Sequence, residues 1–441
     1  MGFRFGMTAR VFVALAAVSL VAGCGSAPHL GPTPLPPSTF PSPRSTESPS
    51  AATSTWLSSI AASSASAVWA AGMSCGSGCA VNPTSAERTL ILRWDGATWA
   101  QDASPSPGQA DLNGISAGPG GVAWAAGESC MSGCDTTSPT LRTLILRWNG
   151  STWSQTPSPG GNAELFAVSA GPGGTAWAVG QSCTSGCGTS SQVAPPLILR
   201  WNGASWSPVP LTNAPNDALL LSVSAGPGGT AWAVGYSCTS GCGTASAANV
   251  PLVLRWNGRA WSRTPIPGSY GAADISGVAV ASGGTAWAVG EFCASDCGTT
   301  SRHVRTLVLR WNGTAWSVAS SPSPGEQAAL NRVTTGPAGT AWAVGHSCVS
   351  GCGTSSEDDK TLILRWNGST WSQTPSPNTD RVTSLDDVAV APDGTAWAVG
   401  VSCVASCGTQ TQQVKMVILR WNGRVWAATG PVTGQPSTAP S

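Results

Sequence analysis

One unit recurs along almost the whole chain and limits what it can fold into. The stretch from Thr340 to Trp371, TAWAVGHSCVSGCGTSSEDDKTLILRWNGSTW, has counterparts throughout residues 56–429. A fixed period decides architecture before local propensity does. The Trp of a Trp-Ala-(Ala/Val)-Gly element falls at Trp69, Trp124, Trp177, Trp232, Trp287, Trp342 and Trp397. An Arg-Trp pair follows at Trp94, Trp148, Trp201, Trp256, Trp311, Trp366 and Trp421, each with another Trp five residues on. The period is about 55 residues, and seven copies fill the chain.

Each copy reads as four strands. In the third, Leu165–Ala170 is the first strand, Gly171-Pro-Gly-Gly a turn and Thr175–Gly180 the second. A long loop holding Cys183 and Cys187 leads to the third strand, Leu197–Trp201. Asn202-Gly203 reads as a two-residue type I′ hairpin turn into a fourth strand starting at Ala204, with Leu199 opposite Trp206. That register puts Trp201 and Trp206 on one face and Arg200 with Ile198 on the other. A sheet with large groups on both faces must be covered twice, as in a ring of sheets packed face to face. The expectation is all-β: a seven-bladed β-propeller of four-stranded antiparallel blades. A stacked β-solenoid fits less well, since its coils are usually shorter and seldom hold two tight hairpins.

These motifs resemble kelch and BNR-type propeller repeats and, more closely, a Trp-rich family of exported bacterial lipoproteins with AWAVG and RWNG-x-x-W signatures. The resemblance covers residues 56–429 and implies a propeller without an assigned chemistry. The BNR Asp-box separates Asp and Gly by one residue, whereas Asn and Gly are adjacent here, so a sialidase is not implied.

Fourteen of the 15 cysteines form identically spaced pairs: Cys75–Cys79, Cys130–Cys134, Cys183–Cys187, Cys238–Cys242, Cys293–Cys297, Cys348–Cys352 and Cys403–Cys407. Metal would need further ligands at each pair, and redox dithiols normally have two intervening residues, so disulfides in an oxidising compartment are expected. Four extended residues span about 13 Å, so each pair must lie in a bend.

The remaining Cys24 closes Val21-Ala22-Gly23-Cys24, which resembles the bacterial lipobox and follows Arg4, Arg10 and the apolar run Val11–Val21. Residues 1–23 read as a lipoprotein signal peptide, and 24–55 as the lipidated Cys with a disordered Pro/Ser/Thr linker. A propeller over 56–429 and a disordered tail over 430–441 complete the expected order. The expected address is the outer surface of the bacterial cell membrane, held by lipid.

Charged residues make up only 9% of the chain and net charge is +1, so no basic field exists to hold nucleic acid. The Trp residues and the seven arginines before the Arg-Trp tryptophans read as packing between blades rather than sugar platforms. There are three His, with His29 in the linker, and two Tyr, Tyr236 and Tyr270. No Ser/His/Asp or paired-carboxylate motif recurs, so no catalytic residue, metal or cofactor is expected and a non-enzymatic binding or scaffold protein is favoured. The Cys loops and Pro-Ser-Pro connections share one end of the sheets. Charge gathers there in copies five and six, making Arg302, His303, Arg305, His346, Glu357, Asp358 and Asp359 the candidate binding residues. The partner is expected to be a protein at the cell envelope, or alternatively a cell-wall or foreign glycan, and the protein itself a monomer.

Replacing Cys24 by Ala is expected to move the protein from the membrane fraction to the soluble one. Mass spectrometry of the parent should find acyl chains on Cys24.

Overall fold

The computed structural model describes residues 54–429 apart from 76–86, 135–138, 186, 188–192, 241–247, 269, 271, 298–301, 355–356, 379, 381, 406 and 408–412. The signal peptide, lipidation site and C-terminal tail read from the sequence lie outside the described residues. The first strand, Ser54–Ser64, starts inside the stretch assigned to the linker, because Ser54 and Thr55 pair with Cys75 and Ser74.

Among the described residues, twenty-eight strands run as antiparallel meanders of four, in sequence order. Five sheets have four strands, and the sixth has eight because one parallel bridge, Asp359 to Val382, joins the sets of repeats six and seven. Repeated four-stranded antiparallel sheets of this kind are the architecture of a β-propeller.

The third repeat shows why the sequence folds this way. Its strands are Ala163–Ala170, Ala176–Ser182, Pro196–Trp201 and Trp206–Pro208. Trp177 and Val179 face repeat four, while Ala176 and Ala178 face repeat two and leave room there for Trp124. Alternating large and small residues therefore lets one strand pack on both sides. The glycine after Val179 answers a different constraint. The first strand bulges at Phe166, between Leu165 and Ala167, and a Cβ on Gly180 would overlap the Glu164 carbonyl oxygen. The same overlap holds at Gly72, Gly127, Gly235, Gly290, Gly345 and Gly400.

The last hairpin differs from the two-residue turn expected. Trp201 pairs with Trp206 directly, leaving four residues between them, and the fourth strand begins at Trp206 rather than Ala204. Asn202 Oδ1 accepts both the Ala204 and Ser205 amides at 2.9 Å, and Gly203 takes φ 104°. The Asn side chain thus caps a wider turn that a I′ hairpin would not accommodate. The two tryptophans still share a face, with ring centroids 5.8 Å apart.

Between successive sheets one motif repeats. Trp177 of repeat three meets Trp256 and Trp261 of repeat four, both at 5.0 Å, and the Arg200 guanidinium lies 5.4 Å from the Trp177 ring and 5.6 Å from Trp256. Trp397 of repeat seven meets Trp94 at 5.0 Å and Trp99 at 5.4 Å of repeat one, with Arg420 between Trp397 and Trp94. The last sheet therefore packs on the first through the contacts used inside the chain. Several fourth-strand indole N–H groups, Trp261 and Trp426 among them, have no hydrogen-bond acceptor, and these two rings stand edge-on to a neighbouring ring at 80° and 86°. Hydroxyls stitch the inner strands across the same seams: Ser116, Ser169 and Ser224 accept the amides of Ala170, Ala225 and Val280 in the following repeat.

Trp397, fully buried, and Trp177, its counterpart within the chain, should cost the same on truncation to Ala, about 3–5 kcal/mol each. Chemical denaturation measures both. A much smaller loss for Trp397→Ala would mean that the first and last sheets do not meet in solution.

Candidate functional site

The first strands of neighbouring repeats contact one another, including those of repeats one and seven, so they form the inner layer. On the strand beside each, the residue just past the invariant glycine varies from copy to copy, with only Glu occurring twice: Met73, Glu128, Gln181, Tyr236, Glu291, His346 and Val401. Opposite them stand Trp56, Asp111, Glu164, Leu219, Asp274, Ala329 and Ser384. Sequence reasoning singled out His346 and missed the rest. Their signal was available as variation one residue beyond a fixed motif, in the strand rather than in the loop.

Local bonds hold part of this layer. Asn113 donates to Glu128 Oε2 at 2.8 Å and to the Leu165 carbonyl of the next repeat at 2.9 Å, and Gln181 donates to Glu164. Tyr270 and Phe292 meet with centroids 5.6 Å apart and planes tilted by 57°. Deeper on the inner strands, Arg332 donates to the carbonyls of Ser276 and Leu221, tying repeats four, five and six. Asp387 accepts from Ser59 Oγ at 2.6 Å and the Ile60 amide at 3.0 Å, tying repeat seven to repeat one. Burial raises the Asp386 and Asp387 carboxyls, and the Arg332 charge opposes it.

Ionisable groups converge where repeats five and six meet. Arg302 Nη2 lies 3.5 Å from Glu291 Oε1. Burial raises the Glu291 carboxyl despite Arg302, and burial lowers His346 despite Glu291 and Glu357. His346 Nδ1 is buried without a hydrogen-bond partner, and the ring feels Glu291, Glu357 and Arg302. Glu357 is pushed up to about 7 by burial and by Asp359, and Asp359 to about 6 by burial first. Arg302, His346, Glu357 and Asp359 are thus brought together, with Glu291 and Asp274 added by the fold. The other candidates point elsewhere. Arg305 donates to the Ser323 and Gly325 carbonyls of its own connection, and His303 sits 3.4 Å from the Glu326 carbonyl. Asp358 pairs with Lys360 at 2.6 Å.

The Cys loops beside this layer are bridged. Disulfides join Cys130–Cys134, Cys183–Cys187, Cys293–Cys297, Cys348–Cys352 and Cys403–Cys407, with Cα atoms 5.6–5.8 Å apart. Cys75 and Cys238 are also disulfide-bonded, and Cys79 and Cys242 fall outside the described residues.

No family model and no curated protein matches the sequence. Solved β-propeller structures resemble the fold. YCF48 bound to a D1 peptide is 13% identical over 84% of this chain and 94% of that one, with a TM-score of 0.44. A polysaccharide lyase of family PL25, an ulvan lyase, is 13% identical over 70% and 80%, TM-score 0.42. The Penicillium chrysogenum alpha-L-arabinanase is 14% identical over 69% and 91%, also at 0.42. The expectation of a non-enzyme is therefore corrected, since proteins of similar fold include glycan-cleaving enzymes. Its premise also fails physically: acid–base groups need not recur as a motif, because Glu291, His346 and Glu357 come from separate strands and loops joined only by folding.

The Glu357/Asp359 pair sets a pH dependence. Both folded values lie above the ordinary 4.5 and 3.8, so the native state binds more protons than the unfolded chain between about 4 and about 7. The pair's contribution is greatest below that window and is lost as pH rises through it. His346, facing the same groups, has the opposite sign, so the difference between the wild type and Asp359→Asn isolates the carboxyl pair. Wild-type melting temperature should fall relative to the variant from pH 4 to 7, in buffer free of divalent ions. A flat difference would refute the raised pair.

Proposed function

We propose that the chain is an exported, lipid-anchored, seven-bladed β-propeller whose Cys-loop end binds a protein partner at the cell envelope. One observation carries this reading. The residues that recur, namely the tryptophans, the arginines and the Asn-Gly turns, Asp95-Gly96 in the first repeat, are all engaged in packing or turn geometry. The residues that differ between repeats collect on the inner strands at the Cys-loop end, with polar, aromatic and ionisable groups side by side. A rigid frame carrying one variable end is how binding surfaces are built. Seven sets of four strands, joined last to first by the same Trp–Arg seam, support a closed ring of seven blades. The motif resemblance to the Trp-rich lipoprotein repeats supports the export and anchoring. A peptide bound to YCF48 shows that a protein of similar fold takes such a ligand. A glycan remains the second reading, supported by Tyr236 and Gln181 in the variable layer.

Pull-down from envelope extract tests the site. Glu291→Gln, Arg302→Ala and His346→Ala should each weaken partner binding by about tenfold, about 1.4 kcal/mol. Arg259→Glu and Arg424→Glu, exposed on the Asn-Gly turns at the opposite end, should leave it unchanged. Loss from the turn variants alone would overturn the assignment, and glycan-array binding without any protein partner would select the second reading.

A further inference from the structure

Asp359 is 0% exposed, no N–H group donates to either of its carboxylate oxygens, and the one side chain within hydrogen-bonding reach is a second carboxyl, Glu357. A buried carboxylate without a donor is costly unless something positive meets it. Its register makes the placement stranger. The residue opposite the first Cys of the repeat is Leu141, Val304 and Val414 in repeats two, five and seven, and Glu87 and Asn249 in repeats one and four. An acid stands here on a position that tolerates a plain apolar side chain in the same surroundings. Departures of this kind from local consistency mark functional sites.

Lys360 offsets the burial of Asp359 only in part. Lys360 is engaged by Asp358 at 2.6 Å and by the Asp380 carbonyl at 3.4 Å. Glu357 instead brings a second carboxylate, and its oxygen, an Asp359 oxygen and Cys348 Sγ all lie within 4.8 Å of one another. Cys348 is bonded to Cys352, so its sulfur is not a thiolate and a soft metal lacks the donor that would select it. Carboxylate oxygens remain, with Glu357 half-buried and open on one side to water. Hard divalent cations accept such a set, completing their shell with water and backbone oxygens.

We propose that Glu357 and Asp359 hold a hard divalent cation, of the calcium, magnesium or manganese kind, at the root of the Cys loop of repeat six. The site is independent of the partner-binding reading and departs from the sequence, which pointed to no metal. Bound there, the ion ties the loop exit to the Asp359–Val382 bridge between repeats six and seven. The disulfide closes the other side of the loop.

Manganese titration of the disulfide-intact protein near neutral pH, followed by electron paramagnetic resonance of the free ion, tests this. The expected result is one bound Mn²⁺, displaced by Ca²⁺, with affinity about tenfold or more weaker in Glu357→Gln and Asp359→Asn. Asp393→Asn, in an exposed turn elsewhere, should bind like the wild type. Glu357→Gln keeps the test valid should Asp359→Asn fail to fold, because residue 357 is only half-buried. The proposal falls if no Mn²⁺ or Ca²⁺ binds below about 1 mM, or if Glu357→Gln binds undiminished.

Discussion

A guanidinium held between two indoles carries much of this fold. In each seam where both faces are covered, the Arg before the third-strand Trp lies over its own second-strand Trp and over the third-strand Trp of the next repeat. Buried Nε groups such as those of Arg200, Arg255 and Arg365 have no hydrogen-bond acceptor, so the rings are their principal compensation. Lysine would not replace these arginines, because a compact ammonium cannot lie flat against two planar surfaces at once. The seam also explains the chain's low charge. Its interior is assembled from aromatic faces, alanines and branched aliphatics, with the seam arginines prominent among its few ions.

Several features follow from this one device. The thin Ala face of the second strand exists to admit the neighbour's Trp, and the glycine behind it exists because the inner strand bulges towards that strand. The bulge places an extra residue on the inner layer of every repeat, and in repeats two and six that residue is an Asn reaching the next repeat's carbonyl. Asp387 and Ser59 make the corresponding polar tie between repeats seven and one. Short disulfide rings then fasten the loops, and each closes too few residues to add much stability to the whole, about 2 kcal/mol.

The sequence announced the repeating parts plainly. Trp177, Arg200, Trp201 and Trp206 could be assigned to packing because seven identical copies leave little room for a specific ligand. The turn after Trp201 was misread because hairpin length depends on what the Asn202 side chain accepts, and dipeptide identity alone does not reveal that. The site was legible only in fragments. Charge in the loops drew attention to Arg302, Glu357 and Asp359, yet nothing in one dimension placed Glu291 beside His346, since that proximity spans a seam between repeats. Arg305 and Asp358 looked equivalent to their neighbours in sequence, and only the fold shows Arg305 turned towards its own connection and Asp358 paired with Lys360 on its own strand.

The first strand enters the fold with Ser54 paired to Cys75, at the end of the sheets where the Cys loops lie. Whatever precedes Ser54 therefore joins the variable end of the protein and not the Asn-Gly end. Were the proposed lipid tether present, some thirty flexible residues would give it a root-mean-square reach of about 30 Å. An anchored molecule would then present its variable end towards the surface it is tied to. Partners lying flat in or on that surface would be met at high local concentration, while large bodies arriving from the far side would first meet the uniform Asn-Gly turns.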